Sequence, residues 1–147
     1  MVSSPDDAPS GRASQQLRCC RPFNRLTPEQ ATALEPQLDT RHYRLGQTVL
    51  RPDQLPDGVL LVVAGKLRSL ALDPNTQELH TLELLEEGDC AGWSSLLRQS
   101  PCEQLRAATD ATVVVLPATA FHQLLEREAE LRDWYARHGS AAELHQL

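Results

Sequence analysis

Apolar residues in the middle of this chain come in short runs closed by glycines. Residues 59–64 (Val-Leu-Leu-Val-Val-Ala) are apolar without a break and lie between Gly58 and Gly65. That length and lack of alternation predict a strand buried on both faces. Further strand-length runs are read at residues 42–45 and 47–51 around Gly46, and at 66–72, 78–85, 102–108 and 111–116. Turn chemistry separates them. Pro52-Asp53-Gln54-Leu55-Pro56-Asp57-Gly58 reads as a loop and Asp73-Pro74-Asn75-Thr76 as a hairpin turn. Thr109-Asp110 reads as a tight turn pairing the last two strands. Many short strands at this spacing predict a sandwich or barrel.

The period changes at both ends. Leu26-Thr27-Pro28-Glu29-Gln30 has the form of a helix start: Thr27 caps, Pro28 takes the first helical position and Gln30 completes a capping box. The helix is expected to reach about residue 38 with Ala31, Leu34 and Leu38 inward, bent or shortened by Pro36. Near the other end Phe121, Leu124, Leu125, Leu131 and Tyr135 form a helical stripe, broken near Arg127-Glu128. Helices flanking strands define a mainly β (α+β) domain. Residues 1–22, rich in Ser, Pro, Asp and Gly at their start, are expected to be a flexible tail. Residues 23–138 are the expected domain and 139–147 a tail or linker.

Composition narrows the function. A chain of 147 residues holds one domain. A net charge of -6 disfavours a nucleic-acid surface, which needs a basic face. Lys66 is the only lysine, and Arg18, Arg21 and Arg25 make a small basic patch that reads as a solvated linker. No apolar run reaches the ~20 residues of a membrane helix, and the first residues lack a secretory core, so a cytoplasmic location with no membrane insertion is expected. Cys19, Cys20, Cys90 and Cys102 have no zinc-ligand spacing and read as free thiols. His42, His80, His122, His138 and His145 form no His-x-His pair, which disfavours a metal site and a cupin-type enzyme. Cys102 has no histidine near it in sequence and reads as a small buried thiol.

Five short motifs occur in order: Gly46-Gln47, Asp57-Gly58, Ala64-Gly65, Gly88-Asp89 and Arg106-Ala107-Ala108-Thr109. With the flanking helices, this series resembles a cyclic nucleotide-binding domain of the cyclic-AMP-receptor and protein-kinase-regulatory-subunit type. The resemblance covers roughly residues 23–135. It implies an eight-stranded antiparallel β-roll, or jelly roll, between a leading helix and closing helices. It also implies a phosphate-binding cassette in which helix N-terminal amides face the cyclic phosphate, a Gly-Glu pair holds the ribose, and an arginine about nine residues later neutralises the phosphate. Here Gly92 keeps the glycine, Trp93 replaces the glutamate, and Cys102 or Pro101 stands for the arginine. The cassette equivalents are then Gly92, Trp93, Ser94, Ser95, Leu96, Cys102, Glu103 and Arg106. Trp93 is expected to plug the pocket or join the core. Ser94 and Ser95 are expected to cap the helix or donate to an anion. Arg106 shares strand parity with Cys102 but lies roughly 13 Å further along, too far for the same phosphate. Arg98 is expected on the solvent side.

The pairing of Gly92-Trp93 with Pro101-Cys102-Glu103 resembles a variant of this domain at the head of some bacterial peptidase-containing ABC exporters. The reading that follows is a non-catalytic regulatory module with a degenerate nucleotide pocket and no cofactor. It would work through a protein partner or the domains of a parent transporter. The alternative is a functional cyclic nucleotide sensor with a remodelled cassette. A DNA-binding regulator of the same family is a third reading, disfavoured by the acidic balance and the short stretch after the last helix. Oligomeric state is left open.

Overall fold

The computed structural model describes residues 12–138. Eight strands form two four-stranded antiparallel sheets. One has the order β1 (Asp39–Tyr43), β8 (Ala111–Pro117), β3 (Gly58–Ala64), β6 (Cys90–Ala91); the other has β2 (Thr48–Leu50), β7 (Gln104–Ala107), β4 (Leu67–Leu72), β5 (Leu79–Leu85). The expected β-roll with flanking helices is therefore the observed fold. The helices are α1 (Arg12–Arg18), α2 (Pro28–Leu34), α3 (Trp93–Arg98), α4 (Ala118–Arg127) and α5 (Ala129–Arg137). None of the described helices is long and apolar enough to cross a membrane.

The unbroken apolar run at β3 is explained by its place between two cores. Leu60 and Val62 face the space between the sheets, beside Leu67, Leu105 and Val113. Val59 and Leu61 face the helical layer, beside Phe23, Phe121 and Leu131. A strand alternates its side chains between faces, so a strand covered on both sides needs apolar residues throughout. Gly58, at the start of β3, lies so close to β8 that an added Cβ would fall 2.2 Å from the Leu116 carbonyl oxygen.

The leading helix starts as the sequence predicts. Thr27 Oγ1 accepts from Gln30 N at 3.1 Å and Gln30 Oε1 accepts from Thr27 N at 2.8 Å. α2 ends at Leu34, and Pro36 lies in a 3-10 turn over Glu35–Gln37. The closing helices break where the stripe breaks, with Glu128 extended between α4 and α5. Glu128 also ties α2 to the break between α4 and α5, because its Oε2 accepts from Gln30 Nε2 at 2.9 Å.

Two expectations are corrected. Residues 12–22 are not tail: α1 forms there, and Leu17 and Cys20 are buried in the helical core. The polar composition of the segment hides two well-spaced apolar anchors. Residues 1–11 and the proposed end segment 139–147 lie outside the described residues. The last two strands are also not partners: β7 pairs with β2 and β4, while β8 pairs with β1 and β3. Thr109-Asp110 carries the chain from one sheet to the other.

Candidate functional site

The cassette begins where β6 ends. Gly92 has φ +87, and a Cβ there would approach the Gly58 carbonyl oxygen to 3.0 Å. Left-handed backbone favours glycine, and from this corner α3 departs with Gly92 as its N-cap. Ser95 and Leu96 are buried, whereas Leu97 and Arg98 are exposed, so Arg98 faces solvent as expected.

After α3 the chain returns through Pro101, and Glu103 turns inward with only 4% of its surface exposed. Its Oε2 accepts from Gly92 N at 2.7 Å. Its Oε1 accepts from Ser95 N at 3.1 Å and from Ser95 Oγ at 2.7 Å. The first amides of a helix have no partner within the helix, and here a side-chain carboxylate supplies one. Ser95 Oγ in turn accepts from Cys102 N at 3.1 Å. Ser95 thus locks the return segment to α3. Ser94 Oγ is buried with no hydrogen-bond partner among the described residues, so it caps nothing here.

Trp93, where the family motif has its glutamate, is 7% exposed and belongs to the helical core. Its ring lies 4.9 Å from that of Tyr135 and meets Trp134 edge-on at 6.3 Å. Tyr135 meets Phe121 at 5.4 Å, and Trp134 stacks on His138 at 3.9 Å. Trp93 thus forms an aromatic joint between α3 and α5. Sulfur and hydroxyl groups nearby stay protonated: burial pushes the Cys90 thiol up to about 12 and raises the Tyr135 hydroxyl well above its ordinary range, with Cys90 and Tyr135 only 3.8 Å apart.

A cleft of about 310 Å³ remains beside this joint. Its charged lining sets Arg21 against Glu83, Asp89 and Glu103. Trp93, Trp134 and His138 give it a ring-bearing wall, while Ser69, Leu85 and Leu105 line it from the second sheet.

Of the eight cassette candidates, Trp93 and Glu103 line the cleft; Gly92 and Ser95 bind the Glu103 carboxylate, and Leu96 packs in the core. Cys102 and Arg106 are not among the lining residues. In β7 Leu105 and Ala107 are the buried members, so Arg106 belongs to the opposite face, across from Thr48 and Arg68. Arg21, Trp134 and His138 were missed. Arg21 sat in a segment read as tail, and Trp134 is one position off the buried stripe; the local basic patch was the only signal for Arg21.

Residues 40–128 match the sequence profile of the cyclic nucleotide-binding domain family, and the chain belongs to that family. A curated relative, the lysophospholipase NTE1 of Mycosarcoma maydis, is 26% identical over 112 residues, which is 76% of this chain and 6% of that protein. Among solved structures, the regulatory domain of Toxoplasma gondii protein kinase A crystallised with cAMP superposes with a TM-score of 0.77 at 18% identity, covering 89% of this chain and 51% of that one. The regulatory subunit of a cAMP-independent protein kinase A from Trypanosoma cruzi bound to guanosine superposes with a TM-score of 0.74 at 15% identity, covering 95% and 51%. At these identities the structural likeness is one of fold. The chain spans about half the length of both kinase subunits.

Proposed function

We propose that this chain is a non-catalytic regulatory module whose cleft has lost its grip on cyclic nucleotides, and that it acts through contacts with a protein partner or with further domains of a parent protein. The observation that carries this reading is the buried Glu103 carboxylate on the first amides of α3. In the family motif those amides face a phosphate; here they already hold an anion. Neither Cys102 nor Pro101 supplies the missing cation, and Arg106 belongs to the other face of its strand. Each charge-assisted hydrogen bond contributes about 1.5–3 kcal/mol. Loss of the arginine and glutamate anchors therefore weakens binding by about two to four decades.

Isothermal titration with cyclic AMP, cyclic GMP and cyclic dinucleotides tests the reading. The expected result is no binding near micromolar affinity; a Kd of about 1 µM or tighter for any of them overturns it. The pairing of Gly92-Trp93 with Pro101-Cys102-Glu103 supports a place at the cytoplasmic head of a bacterial peptidase-containing exporter. A peptidase–transporter encoded in continuity with this sequence or beside it is the expected finding.

A remodelled sensor is the second reading. What favours it is the open cleft of about 310 Å³, together with the guanosine-bound Trypanosoma cruzi subunit, a regulatory subunit described as cAMP-independent.

A further inference from the structure

The cleft keeps the capacity for a small organic molecule but has reversed its charge. A volume of about 310 Å³ sits at the small end of ligand sites. Among the described residues that line it, Arg21 is the one arginine or lysine, against the carboxylates of Asp89 and Glu103. Glu103 cannot swing away without stranding the buried Gly92 and Ser95 donors at 2.7 and 3.1 Å. An unsatisfied buried donor is costly. A phosphate at these amides would therefore meet a fixed negative charge, and like charges at such range repel.

The same lining suits a different chemistry. A carboxylate pair of oxygens offers about four acceptor sites, of which Glu103 has three in use. One remains for a hydroxyl or amino hydrogen. Asp89 and Ser69 add further acceptors, and Trp93, Trp134 and His138 give the cleft an aromatic side against which a base can pack. An acceptor-rich, ring-walled cleft matches a molecule with sugar hydroxyls, a base and no phosphate.

Resting on the family reading above, we propose that the cleft binds an uncharged nucleoside and that Glu103 sets this specificity by excluding the phosphorylated counterpart. The test is titration of the full chain with adenosine, guanosine, cyclic AMP and cyclic GMP, by calorimetry and by the fluorescence of Trp93 and Trp134, the only two tryptophans. One nucleoside binds at least about 30-fold more tightly than its own cyclic monophosphate, because only the monophosphate meets the Glu103 carboxylate. Glu103→Ala and Glu103→Gln each narrow that ratio by at least about tenfold, because each removes the fixed charge. Thermal melting reports whether each variant folds; Glu103→Gln keeps the volume where Glu103→Ala leaves a hole, and the wild-type ratio decides alone if neither folds.

Equal or tighter binding of the cyclic monophosphate overturns the proposal, and at micromolar affinity it overturns the proposed function too. Absence of nucleoside binding at millimolar concentration overturns the proposal and leaves the regulatory module standing. An unchanged ratio in folded variants removes Glu103 as the selecting residue.

Discussion

Glu103 and Cys20 show how far one side chain's surroundings decide its chemistry. Glu103 is two residues before Leu105, and both face inward; the inward set of this return segment is 103, 105 and 107. Arg106 was expected on the same side as Cys102, by strand parity, though too far along the strand to reach the phosphate. Alternation holds only within a strand, and β7 begins at Gln104. Cys102 and Glu103 precede the strand, so their orientation follows from the contacts Glu103 makes with α3 and not from alternation along β7, and those contacts were not legible in the sequence. Cys20 was read as an ordinary free thiol. Burial, with Cys19 and Asp89 adding repulsion, pushes it from 9.0 up to about 12. The folded state therefore holds a proton that the unfolded state releases. The stability this contributes is whole below pH 9.0 and drains as pH rises toward about 12. Near neutral pH a thiol reagent labels exposed Cys19 quickly and Cys20 only as fast as the protein opens; equal rates at the two positions in a Cys90→Ser, Cys102→Ser background would contradict this.

At the scale of elements, local chemistry was legible and partnership was not. The capping box on α2 could be read because its residues contact one another within four positions. Thr27→Ala is expected to cost about 1 kcal/mol, measured by urea unfolding, since the Thr27 hydroxyl satisfies an otherwise orphan amide. The break between α4 and α5 was legible for the same reason, through a lapse in period at Arg127-Glu128. The pairing of β7 with β4, and of β8 with β3, joins residues tens of positions apart. Nothing in the Thr109-Asp110 turn distinguishes a hairpin from a crossing between sheets. β6 is two residues long and follows Gly88-Asp89, too short to show a period at all.

For the whole molecule, the helical layer over β3 and β8 has a contributor the sequence did not announce, α1, beside α2, α4 and α5. α1 packs against α2 and β8, with Leu17 fully buried in the helical cluster. Leu17→Ala is expected to lower unfolding free energy by about 2–5 kcal/mol, as for other large-to-small core changes. A chemical denaturation midpoint unchanged from wild type would show that α1 is dispensable. Sequence composition concealed this because a helix of seven residues needs only one or two apolar anchors to dock.

Just past α1 the chain is stitched to the mouth of the cleft. Arg21 N donates to the Gly88 carbonyl at 3.2 Å, and the Cys90 thiol donates back to the Arg21 carbonyl at 3.3 Å. Arg21 and the Gly88–Cys90 turn, all of which line the cleft, are therefore tied by two hydrogen bonds. A ligand that shifted the Gly88–Cys90 turn would have to carry Arg21 with it or break both bonds, so occupancy of the cleft is coupled to the segment that follows α1.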